Sequence, residues 1–167
     1  MELSIPEAAD MQAFGEKLGA LLTRGDLVLL NGPLGAGKTT LTQGIARGMH
    51  VDGRVASPTF VIAQVHHALG DGPDLVHVDA YRLASLDELD ALDLDTALED
   101  SATVVEWGEG KVEVLTPDRL TITIIRPEGS AVGDDVAALA VDAARTIRVE
   151  ASGPRSSQIV AALQDTL

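Results

Sequence analysis

One octapeptide limits what this chain can fold into more than any other feature. Gly32-Pro33-Leu34-Gly35-Ala36-Gly37-Lys38-Thr39 fits the phosphate-loop pattern G-x-x-x-x-G-K-[ST]. Such a loop belongs between a buried parallel strand and a helix N-terminus. Its backbone N–H groups turn inward around phosphate oxygens, and the positive end of the helix dipole faces the same anion. Both flanks are present. Asp26 to Asn31 is a short apolar run of the buried-strand type, and Leu41, Ile45 and Met49 follow the lysine at helical spacing. Leu34, Gly35, Ala36, Gly37, Lys38, Thr39 and Thr40 are therefore the expected phosphate-binding residues. Lys38 reaches the outer phosphates, and the Thr39 hydroxyl is placed on Mg²⁺.

The rest of the chain repeats the strand-and-helix alternation. Ser4 to Glu7 reads as a capping box with Ser4 as N-cap, opening a helix whose face carries Met11, Phe14, Leu18, Leu21 and Leu22. Phe60 to Val65, Leu75 to Asp79 and Thr103 to Glu106 read as strands, and Ser85 to Glu88 as a second capping box. Arg119 to Ile125 alternates in part and predicts a more exposed strand. Thr146 to Glu150 is expected to pair antiparallel with it, before a terminal helix from Ser156 to Leu167. The pattern predicts an α/β fold: a P-loop NTPase-like three-layer sandwich, with a mainly parallel central sheet and antiparallel C-terminal strands. The 167 residues suit one domain, 1–167, in which the Ala-, Gly- and Asp-rich stretch 127–144 reads as a loop insertion.

A nucleotide site also needs an acid for the metal, and such acids stand at the ends of apolar strands. Asp79 and Glu106 both fit, and both would project beside the loop if their strands flank the first one. The alternative for each is a helix cap or a turn acid. Thr59, within Ser57-Pro58-Thr59-Phe60, is the candidate hydroxyl for sensing a γ-phosphate; otherwise it is a solvent-facing residue of a proline turn. Arg82 is either a phosphate or partner contact or a surface arginine. Trp107 is either a nucleotide neighbour or a packing residue. His66, His67 and His77 show no metal-ligand spacing and take no assignment, although His77 shares a strand face with Asp79.

Charge and composition narrow the partners. The formal net charge is −14, with 12 Lys and Arg against 26 Asp and Glu. A chain this acidic lacks the basic face that nucleic acid needs, so any RNA is expected to be held by a partner protein, and DNA is not a partner. Without cysteine there is no thiol nucleophile or disulfide. No apolar run suggests a membrane span or a signal peptide, so a cytoplasmic location is the expectation. An Asn-Lys-x-Asp guanine-recognition motif is absent from the sequence, which makes ATP the expected nucleotide.

These motifs together resemble one family. The phosphate loop, Ser57-Pro-Thr-Phe60, Val78-Asp-Ala-Tyr-Arg-Leu83 and Val105-Glu-Trp107 are similar, in order and spacing, to the TsaE family of bacterial ATPases in tRNA threonylcarbamoyladenosine biosynthesis. The resemblance runs over roughly residues 1 to 126. It implies a Mg²⁺-dependent ATPase acting with the TsaB–TsaD pair. Position by position, it makes Lys38 and Thr39 ligands of phosphate and Mg²⁺, Thr59 the switch threonine and Asp79 the Walker B-like acid. Glu106 becomes the acid at metal and water, and Trp107 a nucleotide neighbour. Three positions depart from the family pattern: Pro33 stands where many members carry an acid, Ala80 where a larger apolar residue is usual, and Gly108 where proline is frequent. Two other classes compete on the motifs alone: a small-molecule or nucleotide kinase, and a nucleotide-sensing binding module. A kinase usually needs an arginine-rich lid, and no arginine cluster follows Glu106.

Overall fold

A computed structural model describes residues 1–56, 63–83, 92–126 and 144–167. Seven strands form a single sheet in the order β1-β7-β6-β2-β5-β4-β3. In chain order they are β1 (Glu2–Ile5), β2 (Leu27–Asn31), β3 (Ala63–His66), β4 (Asp74–Asp79), β5 (Ser101–Glu106), β6 (Leu120–Ile125) and β7 (Arg145–Ala151). Four described helices are α1 (Ala8–Gly19), α2 (Lys38–Gly48), α3 (Leu94–Asp100) and α4 (Pro154–Thr166). The central strands β6, β2, β5 and β4 run parallel, while β7, β1 and β3 run antiparallel to their neighbours. This is the expected mixed α/β sandwich, with two further antiparallel strands, β1 and β3, at its edges.

Period-two alternation within β2 divides the core into two layers. Val28 and Leu30 face Leu41 and Ile45 of α2, Phe14 and Leu18 of α1, and Ile159 and Leu163 of α4. Leu27 and Leu29 face the other way, toward Leu94 and Leu98 of α3, Val105 and Val112. Being buried on both sides is what makes β2 read as an unbroken apolar run. Among the described residues no helix is long and apolar enough to cross a membrane.

Helices α1 and α2 approach until their backbones touch. Gly15 and Gly19 line one face of α1, and Gly44 and Gly48 line one face of α2, each pair four residues apart. A Cβ on Gly15 would lie 2.6 Å from the Leu41 carbonyl oxygen and 2.9 Å from Gly44 Cα. One on Gly44 would lie 2.9 Å from Gln12 Cα. The helix that opens on the phosphate loop is thus clamped along its length to its neighbour.

The first helix does not start where its sequence suggests. Ser4 is not its N-cap: it lies in β1, paired with Thr146 of β7. Main-chain pairing across the sheet takes these residues, and the helix begins later, where Asp10 accepts a hydrogen bond from the Glu7 N–H at 3.1 Å. The second capping box, Ser85 to Glu88, lies outside the described residues, as does the 127–143 stretch. The terminal helix opens at Pro154, two residues earlier than expected. Asp118 caps it, accepting hydrogen bonds from the N–H groups of Arg155 at 2.7 Å and Ser156 at 2.9 Å. Arg155 then bridges back to the buried Asp26 carboxylate at 2.8 Å.

Burial pushes the Asp118 carboxyl up, but the Ser156 hydroxyl, the two N–H groups and the Arg155 charge together hold it below its ordinary value. A group depressed in the folded state stabilises above its unfolded pKa and loses that contribution as pH falls through the folded one. Asp118→Ala should therefore cost about 1 kcal/mol at neutral pH, the usual worth of a helix cap. The gap from wild type should begin to narrow as pH drops below about 4. Urea melts of both proteins across pH 3 to 7 check this; a gap that does not narrow at all below pH 4 would put the cost in packing.

Candidate nucleotide site

The phosphate loop, residues 32–37, leaves the C-terminal end of β2 and turns directly into α2. Two of its glycines are dictated by geometry. Gly32 has φ of 143° and would press a Cβ to 2.7 Å from the Ile124 carbonyl oxygen, and Gly37 caps α2 in the left-handed region at φ 112°. Leu34 stands exposed at the tip and Ala36 is buried beneath it. Thr39 and Thr40 occupy the first turn of α2, where backbone N–H groups have no helical partner and point at the loop.

Lys38 is 5% exposed, so its charge sits away from bulk water. Its Nζ donates to the carbonyl oxygens of Gly32 at 2.7 Å and Pro33 at 3.0 Å. The same amine lies 3.7 Å from the centre of the Trp107 ring. Burial pulls the Lys38 pKa down, and the Glu106 and Asp79 carboxylates push against that. Trp107 adopts φ of 62°, which swings its ring out of the strand line, and Tyr81 packs edge-on to it at 5.2 Å.

The two candidate acids stand on one line across the sheet: Leu30 pairs with Glu106, and Glu106 with Asp79. The condition for both acids to stand beside the loop, that their strands flank β2, is met by β5 and not by β4, because β5 lies between β2 and β4. Glu106 is therefore next to the loop strand and Asp79 one strand further out. Glu106 is 3% exposed and its Oε1 accepts the Thr39 hydroxyl at 3.2 Å. Asp79 is half-buried and its Oδ1 accepts the Tyr81 N–H at 2.9 Å, forming a tight turn at the strand end. The structure thus brings Lys38, Thr39, Asp79, Glu106 and Trp107 together at the C-terminal ends of the parallel strands. Thr59 lies outside the described residues. Arg82 is exposed beside Tyr81.

Among the described residues no three His, Asp or Glu side chains converge as a metal cluster. Thr39 and Glu106 instead offer one hydroxyl and one carboxylate side by side. That sparse, all-oxygen set fits Mg²⁺, which takes its remaining ligands from water and phosphate, and fits poorly with a metal that needs a full protein cage.

Sequence reasoning missed one residue here. His77, fully buried in β4, places Nε2 2.9 Å from Glu106 Oε1. The shared strand face with Asp79 hinted at it, but the partner sits diagonally across on β5, and only the strand order reveals that.

Trp107 gives this site an optical reporter, since it is the chain's single tryptophan. A phosphate that draws the Lys38 amine to itself removes a cation from the indole face. Adding ATP or ADP should therefore change the tryptophan emission. A flat titration at concentrations where calorimetry detects binding would place the nucleotide elsewhere.

Comparison with known proteins points one way. Residues 5–132 match the family description "Threonylcarbamoyl adenosine biosynthesis protein TsaE". A Streptomyces coelicolor protein named tRNA threonylcarbamoyladenosine biosynthesis protein TsaE is 58% identical over 146 residues, covering 87% of this chain and 93% of the relative. A Mycobacterium tuberculosis protein of the same name is 49% identical over 130 residues, 74% of this chain and 77% of its own. The crystal structure of Bacillus subtilis YdiB superposes with a TM-score of 0.73 at 29% identity, over 99% of this chain and 95% of that one. Motifs, fold and relatives agree, and the chain belongs to the TsaE family.

Proposed function

We propose that this protein binds and hydrolyses ATP with Mg²⁺ in support of threonylcarbamoyladenosine formation at position 37 of tRNA, working beside TsaB and TsaD. The observation that carries the reading is the meeting of Lys38, Thr39 and Glu106 under the glycine loop at the ends of β2 and β5. The relatives' names supply the pathway.

Each described residue would have a part that follows from its placement. The loop and first-turn N–H groups of residues 34–40 would hold the phosphates, and Lys38 would turn from its two carbonyls to the outer phosphate oxygens. Thr39 and Glu106 would hold Mg²⁺. When bound, that ion neutralises charge on the phosphate oxygens as the terminal bond breaks. Asp79 would take the Walker B-like role one strand away, and the family resemblance gives Thr59 the role of sensing the γ-phosphate. Trp107 lies against the nucleotide. With a net charge of −14, the protein would reach tRNA only through its partners.

The test is ATP turnover and association at physiological salt. Turnover is measured for the isolated protein and again with TsaB, TsaD and tRNA. Hydrolysis that needs Mg²⁺, with nucleotide-dependent association to TsaB–TsaD, is the expected result. Tight binding to bare tRNA, or no association with TsaB–TsaD in any nucleotide state, would overturn the pathway role.

A further inference from the structure

Among the described residues His77 makes a single side-chain hydrogen bond, and it ends on the acid of the nucleotide site. The ring is fully buried. Nε2 lies 2.9 Å from Glu106 Oε1, the same oxygen that receives the Thr39 hydroxyl. A carboxylate oxygen accepts, so Nε2 carries a hydrogen and donates it. Nδ1 is buried with no hydrogen-bond partner among the described residues. In register beside His77 on this face of the sheet is Val104, and beside that Val28. On its other side His77 stands in register with Gln64 of β3, and burying a ring with an unpartnered nitrogen costs free energy that an aliphatic side chain would avoid. The contact is not needed to join the strands either, because β4 and β5 pair along their full length from Asp74–Ser101 to Asp79–Glu106. What the ring does provide is a fixed position for the Glu106 carboxylate. Unheld, a glutamate samples several rotamers, and ordering it on metal binding costs conformational entropy. Held at Oε1, it already stands beside the Thr39 hydroxyl.

We propose that His77 is a positioning residue for metal binding: it holds Glu106 in the orientation that takes Mg²⁺. This inference rests on the ATPase reading for the identity of the metal. Hydrogen-bond partners behind metal ligands commonly change metal affinity or activity about 10–100-fold when removed.

Three variants separate positioning from packing. His77→Leu fills the space and removes the donor. His77→Gln carries an amide N–H as far along the side chain as Nε2, and His77→Asn carries one a bond short. The readout is calorimetric: ADP affinity in EDTA, then the Mg²⁺ concentration giving half of the metal-dependent gain. kcat and KM for ATP follow. For His77→Leu the expected result is unchanged affinity in EDTA, a Mg²⁺ midpoint raised about 10–100-fold and a lower kcat at limiting Mg²⁺ with little change in KM. His77→Gln should recover most of this and His77→Asn should not. An unchanged midpoint in His77→Leu, an equal loss of affinity in EDTA, or Gln behaving no better than Leu overturns the proposal. If His77→Leu does not fold by circular dichroism, the Gln and Asn variants decide, and identical midpoints for the two would overturn it. Should the wild type bind nucleotide with a metal response yet never hydrolyse it, the ATPase reading falls while the midpoints still judge His77. A wild type without any metal response sinks both.

Discussion

Gly44→Ala should lower the melting temperature by roughly 5–10 °C, against the usual direction for this substitution. In an exposed helix, replacing glycine by alanine gains about 1 kcal/mol, because alanine gives up less backbone freedom on folding. Here the new methyl would meet the Gln12 backbone, with Gln12 Cα 2.9 Å from the Cβ position. A flexible side chain could swing aside, but a helical backbone cannot without parting α1 from α2. Overpacking of this kind costs about 1–3 kcal/mol, occasionally more, and the rigidity of the obstacle puts Gly44 at the upper end. For a chain of this size each kilocalorie moves the midpoint by about 2–4 °C. Gly70, whose Cβ would meet nothing within 4 Å, serves as the control position. A thermal melt in which Gly44→Ala matches or exceeds wild type would mean that the helices slide apart freely.

Lys38→Ala should weaken ATP binding by at least about 10-fold and lower turnover by about 100-fold or more, with the fold intact. Hydrogen bonds from a charged donor are worth about 1.5–3 kcal/mol each, and those that strengthen as charge builds on the transferring phosphate are worth more in kcat than in affinity. Stability should hold because a buried amine bears a desolvation cost that alanine lacks, and the two carbonyls it releases lie in a part-buried loop at the edge of the site. Calorimetry with ATP, followed by steady-state turnover and a melt, would show it. Wild-type affinity and rate in the variant would remove the lysine, and with it the phosphate loop, from the function.

What was legible in the sequence was local. The phosphate loop could be read because glycine, lysine and threonine at fixed spacing have few other uses, and its strand and helix announce themselves within ten residues on either side. Ser4 misled for the same reason. Its local signal was a helix cap, but its actual partner is Thr146, a residue far along the chain that no window around Ser4 contains. Asp79 and Glu106 were found as strand-end acids, yet their order across the sheet was not readable, because β5 inserts between two strands that precede it in the chain. The link from His77 to Glu106 depends on that order and was hidden with it.

The pairing of β6 with β7 has a consequence for how this protein can change over generations. The two strands are zipped from Leu120–Ala151 to Ile125–Thr146, and β7 is fastened again on its other side by β1. Their register is set by this ladder and not by the stretch of chain that joins them. The entropy of closing a loop rises only with the logarithm of its length, so doubling such a connection costs about 0.6 kcal/mol. Closure entropy alone therefore sets little limit on how many residues join Ile125 to Arg145. This makes the sheet's C-terminal corner a place where related chains can drift apart in length while the phosphate site stays as it is.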